Sequence, residues 1–219
     1  KPSTFARKVY CKKNKRIDSP ERSGNPGEGN MAGSNITKNA LAQAMKELML
    51  EKKFEKISVT DICNQCGMNR KSFYYHFRDK YDLVNWIFYV GFMDHVSLGD
   101  YQGDEGENNP DRPWKLLTAV LDYFYEDRAF YKKALMIEGQ NSFRDYFHDA
   151  VIPVFQYFLF DVLDGEDYAD MFVMMICDAF IDALVRWLQS DEPERPEELI
   201  SGIKEMSIRL ANKIVQENK

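Results

Sequence analysis

The sequence predicts an all-α protein with a small basic N-terminal domain and a larger acidic helical body, and three observations carry that expectation. From Thr37 onward Pro and Gly fall mostly at breaks, and no run alternates apolar and polar residues as a half-buried strand would. With 44% hydrophobic and 14% aromatic residues, 219 residues can bury a substantial core. The net charge of −6 is unevenly spread. Residues 1–33 carry 8 Lys and Arg against 3 Asp and Glu, residues 34–80 carry 9 against 5, and residues 81–219 carry 12 against 27. A polyanion-facing N-terminal part joined to an acidic body fits that asymmetry.

Residues 1–33 are expected to form a disordered basic tail. They are rich in Gly, Pro, Asn and charge and lack the apolar stretch of a secretory signal. Met31 stands where patterned sequence begins, so the residues before it are expected to be upstream-derived; a basic tail could add nonspecific DNA affinity, but a solvated tail without a role is the expectation. No stretch reaches the ~18 uninterrupted apolar residues of a membrane span. Asp178, Asp182 and Arg186 interrupt the longest candidate, "MFVMMICDAFIDALVRW". A cytoplasmic protein is expected, and the cysteines agree: Cys11, Cys63, Cys66 and Cys177 make one Cys-x-x-Cys and no disulfide framework. No second Cys or His pair completes a zinc site, and Cys63 and Cys66 share an apolar helix face with Val59 and Ile62, so core packing is their expected role.

The first predicted helix, about 38–52, carries Leu41, Ala44, Met45, Leu48 and Met49 on one side. Ser58 and Asp61 form a capping-box start for a second helix that ends at Gly67. Asn69 then caps a third, in which Phe73 and Phe77 turn inward four residues apart. Its opposite face is centred on Lys71 and Tyr75, flanked by Ser72, Tyr74 and Arg78. Two short helices joined at a Gly turn, the second offering cations, hydroxyls and aromatics, make a helix-turn-helix over residues 34–80. Arg70 and Lys71 can donate to guanine O6 and N7, Ser72 to a base or phosphate, and the Tyr and His side chains to backbone oxygens.

The stretch "ITKNALAQAMKELMLEKKFEKISVTDICNQCGMNRKSFYYHFRDKYDLV" resembles the DNA-binding domain of TetR/AcrR transcriptional regulators. The matching parts come in order: an amphipathic helix, "ISVTDI", the Cys-Gly-Met turn, "FYYHF", then Lys80 and Leu83 opening the next helix. The resemblance implies that Arg70, Lys71 and Ser72 read bases, that Tyr74, Tyr75 and His76 hold phosphates, and that Lys80 grips the DNA backbone. Thr37, near the start of the first helix, joins the expected DNA contacts. Cys63 and Cys66 stand where that family usually has Ala.

Residues 81–219 are expected to be the regulatory and dimerisation domain. Asp79 caps a fourth helix that is apolar on nearly all sides, as a helix wedged between two domains should be. After the acidic linker "SLGDYQGDEGENNPDRP", helices are predicted near 114–125, 128–136, 142–163 (bent at Pro153), 168–189 and 196–217. The segment from Trp114 to Phe155 is similar to the C-terminal region of the TetR-like subgroup that includes the activator DhaS.

An apolar stripe through Phe172, Ile176, Phe180, Ala183 and Trp187, with Leu199, Ile203, Met206, Leu210 and Ile214 on the last helix, predicts a four-helix homodimer interface. Its expected contacts are Phe180, Leu184, Trp187, Ile203 and Leu210. Tyr123, Phe143, Arg144 and Phe147 are the expected ligand contacts if the surplus aromatic surface lines a cavity, with Glu138, Gln140 and Asn141 nearby; simple packing explains those rings as well. No enzyme is expected, and no metal or cofactor: His76, His95 and His148 are scattered, and no phosphate loop or nucleophile motif occurs. Asp178 and Asp182 stand four apart, but an ordinary Asp182–Arg186 surface pair accounts for most of that pattern. The function expected is a ligand-responsive repressor acting on a palindromic double-stranded operator. The alternative is a DhaS-like activator or adaptor that takes its signal from a protein co-regulator.

Overall fold

The computed structural model describes residues 29–95, 111–139, 142–163 and 167–217, and everything regular in it is helical. Nine α-helices run α1 (Gly29–Glu51), α2 (Val59–Gln65), α3 (Arg70–His76), α4 (Lys80–His95), α5 (Arg112–Glu126), α6 (Arg128–Ala134), α7 (Phe143–Leu163), α8 (Ala169–Gln189) and α9 (Pro196–Glu217) among the described residues. A 3-10 turn, Phe54–Lys56, links α1 to α2. The all-α expectation holds, as do most element boundaries.

Two boundaries moved outward. Helix α1 begins at Gly29, so residues 29–33, expected in the tail, are helical. Once the Leu41 to Met49 face is packed, extending the helix back through Gly33 to Gly29 is far easier than starting one. Helix α5 starts at Arg112 rather than Trp114, with Pro113 in its first turn, where a missing N–H costs nothing. The rest of the linker, Gln140, Asn141 and residues 1–28 lie outside the described residues.

Helix α4 joins the two halves. It packs on α1 at one side and on α5 and α7 at the other, burying Leu83, Val84, Ile87 and Phe88. Phe88 is the centre of an aromatic cluster, with the rings of Phe143 and Phe147 each 5.3 Å away and that of Tyr123 at 5.9 Å. The Tyr123 hydroxyl donates to the Phe88 carbonyl at 3.2 Å and also meets the Tyr131 hydroxyl. Gly91 makes that approach possible, since a Cβ there would stand 2.6 Å from the Tyr123 oxygen.

The buried residues of α8 are Val173, Cys177, Ile181, Leu184, Trp187 and Leu188, a stripe about one position on from the apolar stripe expected at the dimer interface. Leu184 and Trp187 are therefore corrected from dimer contacts to core: they are 2% and 7% exposed within a single chain. The Trp187 indole stacks on Tyr125 and its Nε1 donates to the Glu194 carbonyl at 3.0 Å. The expected Asp182–Arg186 pair is also replaced. Asp182 binds Arg144 of α7, and Asp178 meets His148 Nε2 at 3.2 Å, so both carboxylates join α8 to α7.

Candidate nucleic-acid interface

Local hydrogen bonds set the geometry of α2 and α3. The Ser58 side chain accepts from the Asp61 amide at 3.1 Å while the Ser58 amide donates to Asp61 Oδ2 at 2.8 Å, closing the capping box. The Ser58 hydroxyl, which also donates to Asp61 Oδ2 at 2.6 Å, and then the Ser58 amide hold the Asp61 carboxyl below its usual range. At the other end Met68 N–H donates to the Cys63 carbonyl at 2.8 Å and Gly67 N–H to that of Asn64 at 3.3 Å. That pair is a Schellman closure, and it requires the left-handed backbone that Gly67 adopts at φ +68°. Asn69 Oδ1 then accepts from the Ser72 amide at 2.8 Å and from its hydroxyl at 3.2 Å, starting α3 within two residues of the glycine.

Helix α3 is anchored on one side only. Phe73 and Phe77 are buried, Phe77 against Trp86 at 5.6 Å, while Arg70, Lys71, Tyr74 and Tyr75 are exposed. Tyr75 is 80% exposed although it is an aromatic residue next to a packed core. The Arg70 guanidinium lies 5.7 Å from the centre of the Tyr74 ring and reaches its hydroxyl at 3.4 Å, so the two form one cationic, planar surface. Ser72 is half-buried, with its hydroxyl directed to the Asn69 cap.

His76 sits at the edge of this face, half-buried, its ring edge-on to Tyr75. Burial, reinforced by the charge of Lys38, pushes its pKa below the usual histidine range. Lys38 was not singled out from the sequence. It lies within α1, half-buried beside the half-buried Thr37, with its ammonium 5.7 Å from the centre of the Trp86 ring. Its only sequence signal is a cation following Thr37 where the first apolar stripe begins.

Lys80 is placed differently from the expectation that it grips phosphate. Its ammonium donates to the carbonyls of Phe54 at 2.7 Å and Ile57 at 2.9 Å, with that of Glu55 at 3.4 Å, and lies 4.3 Å from the centre of the Phe54 ring. Three donors on three carbonyls leave none for DNA in this arrangement. Burial lowers the Lys80 pKa, the Glu55 charge opposing it in part. This lysine locks the 3-10 turn to α4.

The remaining candidates divide cleanly. Tyr123, Phe143 and Phe147 come together, buried around Phe88, but Arg144 points away to Asp182 at the surface. Phe180 is half-buried against Phe155 at 5.7 Å. Ile203 and Leu210 are exposed, together with Met206 and Ile214 of the same α9 stripe. Helix α8 exposes Met171, Met174 and Met175. Among the described residues no group of three or more His, Cys, Asp and Glu gathers where it could hold a metal, and no helix is long and apolar enough to cross a membrane.

Comparison with known proteins fits this arrangement. The model of bacterial regulatory proteins of the tetR family matches residues 41–87, and that of a transcriptional regulator C-terminal region matches residues 111–209. The chain is 30% identical over 151 residues to the HTH-type dhaKLM operon transcriptional activator DhaS of Lactococcus lactis subsp. lactis (strain IL1403), covering 68% of this chain and 75% of that protein. Among solved structures, the dihydroxyacetone kinase operon activator DhaS superposes with a TM-score of 0.53 at 24% identity, over 80% of this chain and 96% of that one. NalD, the secondary repressor of the MexAB-OprM multidrug efflux pump in Pseudomonas aeruginosa, shares the fold with a TM-score of 0.59 at 18% identity, over 80% and 96% of the two chains. Regulators, not enzymes, make up these matches, and the chain belongs to the TetR family of transcriptional regulators.

Proposed function

We propose that the chain acts as a homodimer on a palindromic DNA operator, with α3 lying in the major groove. The observation that carries this reading is the exposed outer face of α3, which the Asn69 cap and the buried Phe73 and Phe77 hold in place while Lys71 and Tyr75 stand in solvent. Arg70 and Lys71 are the base readers, and Tyr74, Tyr75 and His76 the phosphate contacts, with Thr37 at the edge. Lys80 acts indirectly by fixing the turn behind α2. The three described cysteines are free thiols, which suits a cytoplasmic site of action.

The dimer surface follows from what the single chain leaves uncovered. Met171 at 71% exposure and Leu210 at 61% mark two apolar helix faces, on α8 and α9, that a second copy would cover as a four-helix interface. Two-fold symmetry then sets the two α3 helices about one DNA turn, ~34–36 Å, or somewhat more apart. Sedimentation at micromolar concentration tests this: a dimer that Leu210→Glu splits into monomers is expected, and a monomeric parent chain would reject it.

For the signal, the packing of Tyr123, Phe143 and Phe147 on Phe88 favours the reading in which a partner protein supplies it, as an activator or adaptor. The likeness to the transcriptional activator DhaS supports activation over repression. A metabolite that both raises the melting temperature and alters DNA affinity would restore small-molecule induction.

A further inference from the structure

The body beyond residue 80 is acidic, yet α6 carries Arg128, Lys132 and Lys133 within six residues. All three are turned onto backbone carbonyls at the ends of other helices. On one flank, Lys133 Nζ donates to the carbonyls of Met49 at 2.6 Å and Leu50 at 2.7 Å, in the last turn of α1. One turn earlier on α1, Lys46 pairs at 2.5 Å with Asp127, the residue that opens α6, and lies 5.5 Å from the centre of the Phe130 ring. On the other flank, Arg128 Nε donates to the Leu188 carbonyl at 3.0 Å and the guanidinium also meets that of Ser190. Lys132 Nζ donates to the Gln189 carbonyl at 3.3 Å, and Gln189 Nε2 donates back to the Lys132 carbonyl at 2.8 Å.

The physical basis is common to both flanks. The last carbonyls of an α-helix have no partner within the helix and form the negative end of its dipole, so a cation there both satisfies acceptors and draws the helix end toward itself. Here two such ends, one from the DNA-binding domain and one from the helix that carries the exposed methionines, converge on a single seven-residue helix. Phe130, Tyr131 and Ala134 seat that helix in the core, so it moves as a unit with its cations. We propose that α6 is a coupler in which Lys133 is a positioning residue that fixes the angle of the DNA-binding domain on the body, while Arg128 and Lys132 tie that angle to the end of α8. A displacement of the last turn of α8 is then transmitted to α1 with no contact to DNA or to the outer face of α3.

Paired spin labels at Tyr75→Cys and Ser201→Cys, in an otherwise cysteine-free full-length chain mixed with excess unlabelled chain, report the within-chain distance between α3 and α9 whatever the oligomeric state. The expected result is one narrow distance distribution, broadened or shifted by Lys133→Met and equally by Arg128→Met, and restored by Lys133→Arg. Folded variants, by circular dichroism, that keep the parent distribution would overturn the proposal. Hydrogen exchange on the unmutated chain covers the case of a variant that does not fold: the last turns of α1 and α8 are expected to open together with one opening free energy, and clearly separate openings would overturn the coupling.

Discussion

In α3 the ring of Phe73 is buried while those of Tyr74 and Tyr75 stand in solvent; across α5 and α6 the rings of Tyr123 and Tyr131 are both buried, their hydroxyls joined to each other. The residue types are the same and the surroundings are not. A seven-residue helix held against one layer must leave half its surface bare, and what stands there is free to meet a partner. Helix α5 touches α4, α6, α8 and α9, so its aromatics are consumed by packing. Burial pushes the Tyr131 phenol well above its usual range, with Tyr123 adding to the effect, as befits a group that stays neutral in the core. An aromatic surplus therefore signals function only where the fold leaves a side open.

The sharpest way to break this contrast is within α3 itself. Phe73→Ala removes a fully buried ring and should cost roughly 3–5 kcal/mol of stability. Tyr75→Ala, two positions away, should change stability by no more than about 0.5 kcal/mol. Thermal unfolding of the two variants decides the matter, and a large loss in Tyr75→Ala would mean that its face is covered in the folded protein.

The next effect separates structure from DNA contact at Lys80. Lys80→Met keeps the stem and deletes the charged donors to Phe54, Ile57 and Glu55, so about 1.5–3 kcal/mol of stability should be lost. The slope of DNA affinity against salt should not change. A phosphate contact would instead reduce that slope by about one unit.

How far the sequence could be read follows the same division. The helix-turn-helix was legible because its signals are local: Ser58 with Asp61, Gly67, and Asn69 with Ser72 are each separated by a few residues and each makes the bond expected of it. The inner stripe of α8 was not, because Met171, Phe172, Met174 and Met175 make the helix apolar on several sides, and only its packing against α7 and α6 selects Val173, Cys177 and Leu184. Lys80 and Lys133 were opaque for a related reason. A lysine looks the same in sequence whether it faces a phosphate or carbonyls 25 or 84 residues away.

The smallest effect concerns pH at His76. Its folded pKa is depressed by burial and by Lys38, while the unfolded chain titrates near ~6.5. Stability present above that value is therefore lost as pH falls through the folded pKa. A phosphate beside the ring favours the imidazolium, so DNA binding takes up protons, and affinity should rise on acidification by at most about tenfold per pH unit. His76→Gln should flatten both dependences, measured by melting temperature and by DNA titration between about pH 5 and 8, a range that reaches below the ordinary histidine pKa.

The central claim is that the outer face of α3 reads DNA, and the most direct measurement is binding of DNA flanking the chain's own gene by the parent and by Lys71→Ala at matched salt. The account predicts a palindromic footprint and a loss in Lys71→Ala of about 1–3 kcal/mol on that site alone, with random DNA bound equally by both. Equal affinity of the parent for its flanking DNA and for random sequence, or a loss in Lys71→Ala that is the same on both, would contradict it.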